Sequence, residues 1–260
     1  MKKEIIFESN THKIAGTFET SNVNRKRPGI LMCHGLTNTK KDCPLISQVK
    51  DVLCSEGYAT FRFDFYGSGE SDGRFQDKTI SEMVINAKDA LDILSADKLV
   101  EDKNIGLWGR SMGALVAAML VKDKRVRASV LTSAPIFPHK TFYPLYAQDV
   151  TRNSVPLPPG TVSGEIKGEA KLSKAFFTEL QDIENEATQV LHDASSVLII
   201  QGDQDEKVPP DYAKYIYNLA KEPKKLLTIE GAGHDYSGKE KQVVSAISRW
   251  FLDNLPLQTR

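Results

Sequence analysis

From residue 29 onward, short and continuous apolar runs alternate with stretches of helical pattern, and no other feature limits the fold as much. The strand-like runs cover residues 29–33, 59–65, 104–108, 128–132, 197–201 and 226–229. Helical pattern fills residues 45–55, 80–95, 113–121, 211–221 and 240–254 between them. A strand that is apolar at every position must bury both of its faces, which a sheet with one wet face does not require. The alternation therefore predicts class α/β, a mostly parallel sheet with helices on both faces. Ahead of it, residues 3–9 and 13–20 flank Asn10-Thr11-His12 and predict an N-terminal antiparallel β-hairpin, followed by a basic linker at 25–28.

One stretch interrupts the pattern. Residues 135–192 show no clear strand, carry Phe137, Phe142, Tyr143 and Tyr146 before a Pro- and Gly-rich stop at 156–160, and turn helical over 173–191. A connection of that length inside a compact domain is usually a lid or binding segment. The expected division is thus a core of residues 1–134 and 193–260 with an inserted lid or cap at 135–192.

Composition mainly excludes. The 34 basic and 34 acidic side chains leave no cationic excess to meet phosphates, so no nucleic-acid partner is expected. The longest apolar runs, such as 114–121, fall far short of the roughly 20 residues a membrane span needs. Cys33, Cys43 and Cys54 are odd in number and lack paired spacing, which fits a reducing compartment and offers no disulfide or zinc framework. With no apolar leader after Met1, the expected location is cytoplasmic.

The chemistry is concentrated in Gly109-Arg110-Ser111-Met112-Gly113, which closes a strand-like run and opens a helical one. A serine in a tight strand-to-helix turn, flanked by glycines, is presented as a nucleophile. Ser68 follows a strand but opens no helix, and Cys33 reads as a small buried apolar residue. A serine hydroxyl needs a base, and the base needs a carboxylate to orient it. Among five histidines, His234 in Gly231-Ala232-Gly233-His234 sits directly after the last strand-like run, whereas His12, His139 and His192 read as solvated or packing residues. The loop after residues 197–201 offers Asp203, Asp205 and Glu206. Asp205 has the reach to cross the sheet edge, Asp203 is the fallback as a turn-capping residue, and Glu206 faces solvent. Asp235, adjoining His234 on the chain, is badly placed for that ring.

Five motifs, Cys33-His34-Gly35-Leu36, the run from Phe61 through Asp64 and Gly67-Ser68-Gly69 to Ser71, the serine elbow, Gly202-Asp203-Gln204-Asp205 and Gly231-Ala232-Gly233-His234, occur in the order of α/β-hydrolases. Nearly the whole chain resembles that superfamily, closest to compact esterases such as the cinnamoyl/feruloyl esterases and the monoacylglycerol-lipase or serine-aminopeptidase-like hydrolases. The resemblance implies an oxyanion hole from the backbone N–H groups of Leu36 and Met112, with His34 shaping that loop and Asp64 supporting it. It also places the lid at 135–192, where Phe137, Phe142, Tyr143, Phe176 and Phe177 are candidates for an apolar acyl pocket and packing of lid on body is the competing reading. Arg110 stands where many members have histidine.

The expectation is a serine hydrolase of small carboxylic esters, with Ser111 as nucleophile, His234 as base and Asp205 as acid, and with no cofactor and no metal. An amide or thioester hydrolase with the same residues stays open, as does a non-catalytic scaffold. The expected partner is a small-molecule ester and not a membrane, and a homodimer through the aromatic excursion stays open.

Overall fold

The computed structural model describes residues 1–21, 24–162 and 164–257. In chain order the elements begin with β1 (Lys2–Ser9), β2 (His12–Thr20), β3 (Arg27–Cys33), α1 (Pro44–Glu56), β4 (Ala59–Phe63), α2 (Ile80–Ala96), β5 (Val100–Arg110), α3 (Met112–Leu120) and β6 (Val126–Thr132). They continue with α4 (Pro138–Ala147), β7 (Ser154–Pro156), β8 (Lys171–Ser173), α5 (Lys174–Thr178), α6 (Leu180–Leu191), β9 (Val197–Gly202), α7 (Asp211–Leu219), β10 (Lys224–Ile229) and α8 (Glu240–Asn254). Eight strands form one sheet in the order β1-β2-β4-β3-β5-β6-β9-β10. Pairing is parallel from β4 to β10 and antiparallel only at the β1–β2–β4 side.

The buried strands sort their side chains by alternation. Ile30, Met32, Trp108, Leu198 and Ile200 enter one core, closed by α1 and α8. Leu31, Cys33, Leu107, Val197 and Ile199 enter the other, closed by α2, α3 and α6. Every position of β3 and β9 is buried, which is why these segments read as continuous apolar runs. All parallel strands end on one edge, so the loops after β3, β5, β6, β9 and β10 converge there, as open parallel sheets require of a ligand crevice.

The helix α3 approaches the sheet closely. A Cβ on Gly113 would lie 2.3 Å from the Cys33 carbonyl oxygen and 2.4 Å from that of His34, and one on Gly109 would lie 2.2 Å from the Gly113 carbonyl oxygen. Only hydrogen fits between these backbones.

The excursion contains more than the sequence suggests. Its first half holds α4 and the two-stranded β7–β8 ladder, in which Ser154 pairs with Ser173. Strands of three residues are too short to leave a readable alternation, which explains the missing signal. The helical second half divides at Glu179 into α5 and α6. Glu179 also ties the excursion to the body, its carboxylate accepting the N–H groups of Ile80 and Ser81 at the start of α2. An acceptor of negative charge at a helix N-terminus satisfies donors that have no intrahelical partner.

Gly113→Ala is expected to cost about 2 kcal/mol or more of stability, because the new methyl meets backbone that cannot rotate away. An unchanged urea midpoint would contradict the close approach of α3 to β3.

Candidate active site

Ser111 occupies the turn between β5 and α3 with φ 54° and ψ −126°. A β-carbon residue at positive φ costs of order 1–3 kcal/mol and persists only where surrounding contacts impose it. Here the Ser111 N–H donates to the Thr132 carbonyl at 2.8 Å, and the Ser111 carbonyl accepts the Ala114 N–H at 2.8 Å. These bonds leave the hydroxyl projecting at the carboxyl edge of the sheet.

The loop after β10 brings His234 over the serine, with Nε2 3.0 Å from Ser111 Oγ. On the other side of the ring, Nδ1 lies 3.0 and 2.9 Å from the two oxygens of Asp205. The carboxylate accepts a hydrogen bond from Nδ1–H and keeps the proton on that nitrogen, which leaves Nε2 as an acceptor for the serine hydroxyl. Asp205 is buried and accepts four further bonds: from Lys207 N–H at 3.0 Å, Val208 N–H at 2.8 Å, Gln201 Nε2 at 3.0 Å and Ser133 Oγ at 2.8 Å. Burial alone would raise this carboxyl's pKa. The His234, Val208 and Ser133 donors outweigh it and hold the group below the usual carboxylate range.

The rival groups are engaged elsewhere. Asp203 caps the Gly231 N–H at 2.7 Å. Glu206 is exposed, as expected, yet it also accepts the His234 backbone N–H at 3.2 Å. His12 stacks on Tyr66 and His139 on Tyr143, at ring separations of 4.3 and 4.5 Å. Cys33 is fully buried, and burial pushes its thiol up to about 12.

Arg110 is a structural tie. Its guanidinium donates to Asn38 Oδ1 and to the His234 carbonyl, both at 3.1 Å, and pairs with the Asp235 carboxylate. It joins the serine turn to the histidine loop and to the loop after β3, a role no motif announced.

That last loop carries Leu36. His34 Nδ1–H donates to the Gly35 carbonyl at 2.7 Å, while its Nε2 accepts the Phe65 N–H at 3.2 Å. The second bond leaves one tautomer and makes His34 a brace for the backbone. Burial, reinforced by the nearby Lys78 charge, pushes its ring down to about 4, so it is neutral at working pH. Beneath it, Asp64 accepts the Lys40 backbone N–H at 2.7 Å and its ammonium at 2.6 Å. Among the described residues, neither Leu36 N–H nor Met112 N–H is taken by an acceptor. Met112 follows Ser111 on the chain, and Leu36 lines the same cleft next to Gly35, where a Cβ would lie 3.4 Å from that of Ser111.

A cleft of about 240 Å³ opens above Ser111 and His234. Leu36, Thr37, Asn38, Arg110, Lys207, Val208 and Asp235 line it from the core, and Pro135, Thr141, Phe142 and Pro159 to Thr161 from the excursion. Of the five aromatic pocket candidates, only Phe142 reaches it. Phe137 packs against Tyr212 and Tyr215 of α7, with centroids 4.8 and 4.6 Å apart, and Tyr143 lies between His139 and Tyr146. Phe176 and Phe177 are buried in the core with Phe142 and Tyr146 as neighbours. The physical reason is economy of apolar area: large rings in a small insertion are needed to bury its own helices. Ser133 and Gln201, which hold Asp205, went unnoticed in the sequence. The available signal was their place at the ends of β6 and β9.

The described residues hold no helix long and apolar enough to cross a membrane and no cluster of potential metal ligands. Residues 24–170 match the family described as Hydrolase_4: serine aminopeptidase, S33. An uncharacterized 31.7 kDa protein of the traX-finO intergenic region of Escherichia coli is 32% identical over 121 residues, which are 45% of this chain and 41% of that protein. An uncharacterized protein of Mycobacterium tuberculosis is 26% identical over 80% of this chain and 63% of its own length. The chain thus spans less than two thirds of these curated relatives. Among solved structures, Est1E from Butyrivibrio proteoclasticus with bound ferulic acid superposes with a TM-score of 0.80 at 23% identity, covering 96% of this chain and 98% of that one. A Pyrococcus furiosus esterase gives 0.71 at 19% identity, covering 98% and 93%. These likenesses are of fold.

Two stability outcomes follow from this geometry. Ser133→Ala removes one buried donor to Asp205 and should cost about 1–2 kcal/mol by urea denaturation, with no loss contradicting the bond. His34 is depressed in the folded state, so the unfolded chain binds its proton first. Its contribution to stability is full above about pH 6.5 and falls by up to about 3 kcal/mol as pH drops toward 4. His34→Gln should flatten that dependence, and parallel pH curves for the two proteins would refute it.

Proposed function

The chain belongs to the Hydrolase_4, serine aminopeptidase S33, family and has the α/β-hydrolase fold; on that premise we propose that it is a serine hydrolase cleaving carboxylic esters of small substrates through an acyl-enzyme. One observation carries this reading. Asp205, His234 and Ser111 form a continuous hydrogen-bonded line, 2.9 Å and 3.0 Å between successive groups, that ends on an open cleft.

The chemistry runs along that line. Ser111 Oγ attacks the ester carbonyl as its proton passes to His234 Nε2. The ionised Asp205 beside Nδ1 stabilises the imidazolium that forms. The carbonyl oxygen becomes an oxyanion, received by the N–H groups of Leu36 and Met112, which are already oriented and need no reorganisation. On collapse the C–O bond breaks and His234 returns the proton to the departing alcohol. Water then repeats the sequence on the acyl-enzyme and releases the acid.

The cleft favours esters over N-terminal peptide amides. An aminopeptidase must hold the substrate's ammonium against a carboxylate. Asp235 is the one carboxylate among the described lining residues, and it is already paired with Arg110 and lies 3.9 Å from Lys207 Nζ. A volume near 240 Å³ suits a short acyl group. An aromatic acyl group such as ferulate is the bulkiest this reading admits, and Phe142 is the ring it would meet.

Ser111→Ala is expected to lower kcat for p-nitrophenyl acetate by about 10⁴ or more while leaving the urea midpoint within the wild-type range. A fluorophosphonate probe should label the wild type and not the variant. Lack of labelling of the wild type would point to a non-catalytic scaffold. A series of p-nitrophenyl esters graded by acyl length, run beside methyl ferulate, an acyl thioester and an aminoacyl anilide, should show the highest kcat/KM for short esters. A best rate on the anilide or the thioester would replace the ester reading.

A further inference from the structure

Two lysines are almost completely buried near the cleft, and they differ in one respect. Lys40 has carboxylates for partners, Asp64 at 2.6 Å and Glu70 at 2.5 Å. Lys78 is 1% exposed, and its ammonium meets neutral groups: the Leu36 carbonyl at 2.8 Å, Ser68 Oγ, and the face of Phe75 at 4.8 Å. Burying an ammonium without a paired anion is expensive, and a methionine would fill the same space at no such cost. The site it occupies gives the reason.

No helix or strand covers residues 34–43. The loop must therefore be held by individual bonds. The Gly35 carbonyl is taken by His34 Nδ1–H at 2.7 Å and Asn38 N–H at 3.2 Å. In a trans peptide the C=O and the following N–H point in opposite directions, so this pair of bonds turns the Leu36 N–H away from them. The next carbonyl, that of Leu36 itself, is held by Lys78 and by no other side chain among the described residues. We propose that Lys78 is a positioning residue for ester hydrolysis: by holding the Leu36 carbonyl from inside the core, it anchors the far side of the residue whose N–H receives the oxyanion, while the Gly35 carbonyl bonds anchor the near side. This rests on the serine-hydrolase reading above. Lys78 acts through Leu36 and does not touch the substrate.

Its charge belongs to the same arrangement. Burial pushes the Lys78 ammonium down to about 7, while Asp64 and Asp42 act in the opposite direction. The neutral ring of His34 and the compensated Lys40 complete its surroundings. An anion formed beside Leu36 would be a new negative neighbour, only a few bond lengths beyond the carbonyl that Lys78 holds.

The test uses Lys78→Met, the closest apolar replacement, with p-nitrophenyl acetate as substrate and phenylboronic acid as a probe that forms an anionic tetrahedral adduct on serine. The variant should lose roughly 10- to 100-fold in kcat, less than loss of a whole oxyanion donor, with KM changed by less than about threefold. Affinity for phenylboronic acid should fall with kcat. The urea midpoint should stay level or rise, because an unpaired buried cation has been removed. A kcat within twofold of wild type, or a loss confined to KM, overturns the proposal. If the variant does not fold, wild-type protein labelled with ¹³Cε-lysine decides. Saturation with phenylboronic acid should raise the titration midpoint of the Lys78 signal by about one pH unit, and an unmoved midpoint overturns the proposal. Wild-type protein that neither turns over esters nor binds the boronate would sink the serine-hydrolase reading itself, a result distinct from an active wild type with an equally active Lys78→Met.

Discussion

The contact between the start of α3 and the ends of β3 and β5 is the constraint on which the rest depends. Gly109 and Gly113 let three backbones meet at distances that exclude a side chain. That approach forces the intervening residue into positive φ, and Ser111 is held there by bonds to Thr132 and Ala114. The strain is paid for by the surrounding packing, and its result is a hydroxyl that stands clear of the sheet. The same approach places the Cys33 and His34 carbonyls over Gly113, so the loop bearing Leu36 is seated by the contact that presents the serine.

Around that contact, loops without secondary structure are made rigid by buried polar bonds. Asp205 collects donors from β9, from the residue after β6 and from its own loop before it meets His234. Arg110 draws the histidine loop and Asn38 toward the serine turn. His34, Lys40 and Lys78 hold the loop after β3 from three sides. Apart from Lys78, whose partners are neutral, each of these groups is costly to bury and inexpensive once its partners are in place, and so the site behaves as a unit in which a single missing partner leaves a buried charge or carbonyl unpaired.

The excursion divides its residues between two tasks. Its large rings mostly pack inward against each other and the body, and Glu179 fastens it to the start of α2. Small and polar residues, Thr141 and Pro159 to Thr161, do most of the lining. This is the reverse of what aromatic content alone suggests, because a segment of fewer than sixty residues has little else with which to bury itself.

The order of the core strands and helices, the two-faced burial of the sheet and the residues that could act as nucleophile, base and acid were all legible in the chain. Apolar runs and glycine-flanked turns are local patterns, and local patterns survive in a linear string. Tyr66 to Gly69 and Cys33 to Leu36 were legible as motifs, though not what they support. The sequence preferred Asp205 over Asp203, and the fold places it against His234. Tertiary structure alone decided that Ser133, Gln201 and Arg110 support the site, that Phe142 reaches the cleft while Phe137, Tyr143, Phe176 and Phe177 do not, and that Lys78 lies buried under Leu36. Most of these depend on partners far apart along the chain, 29 residues for His234 with Asp205 and 124 for His234 with Arg110, brought together only when parallel strands end on a common edge.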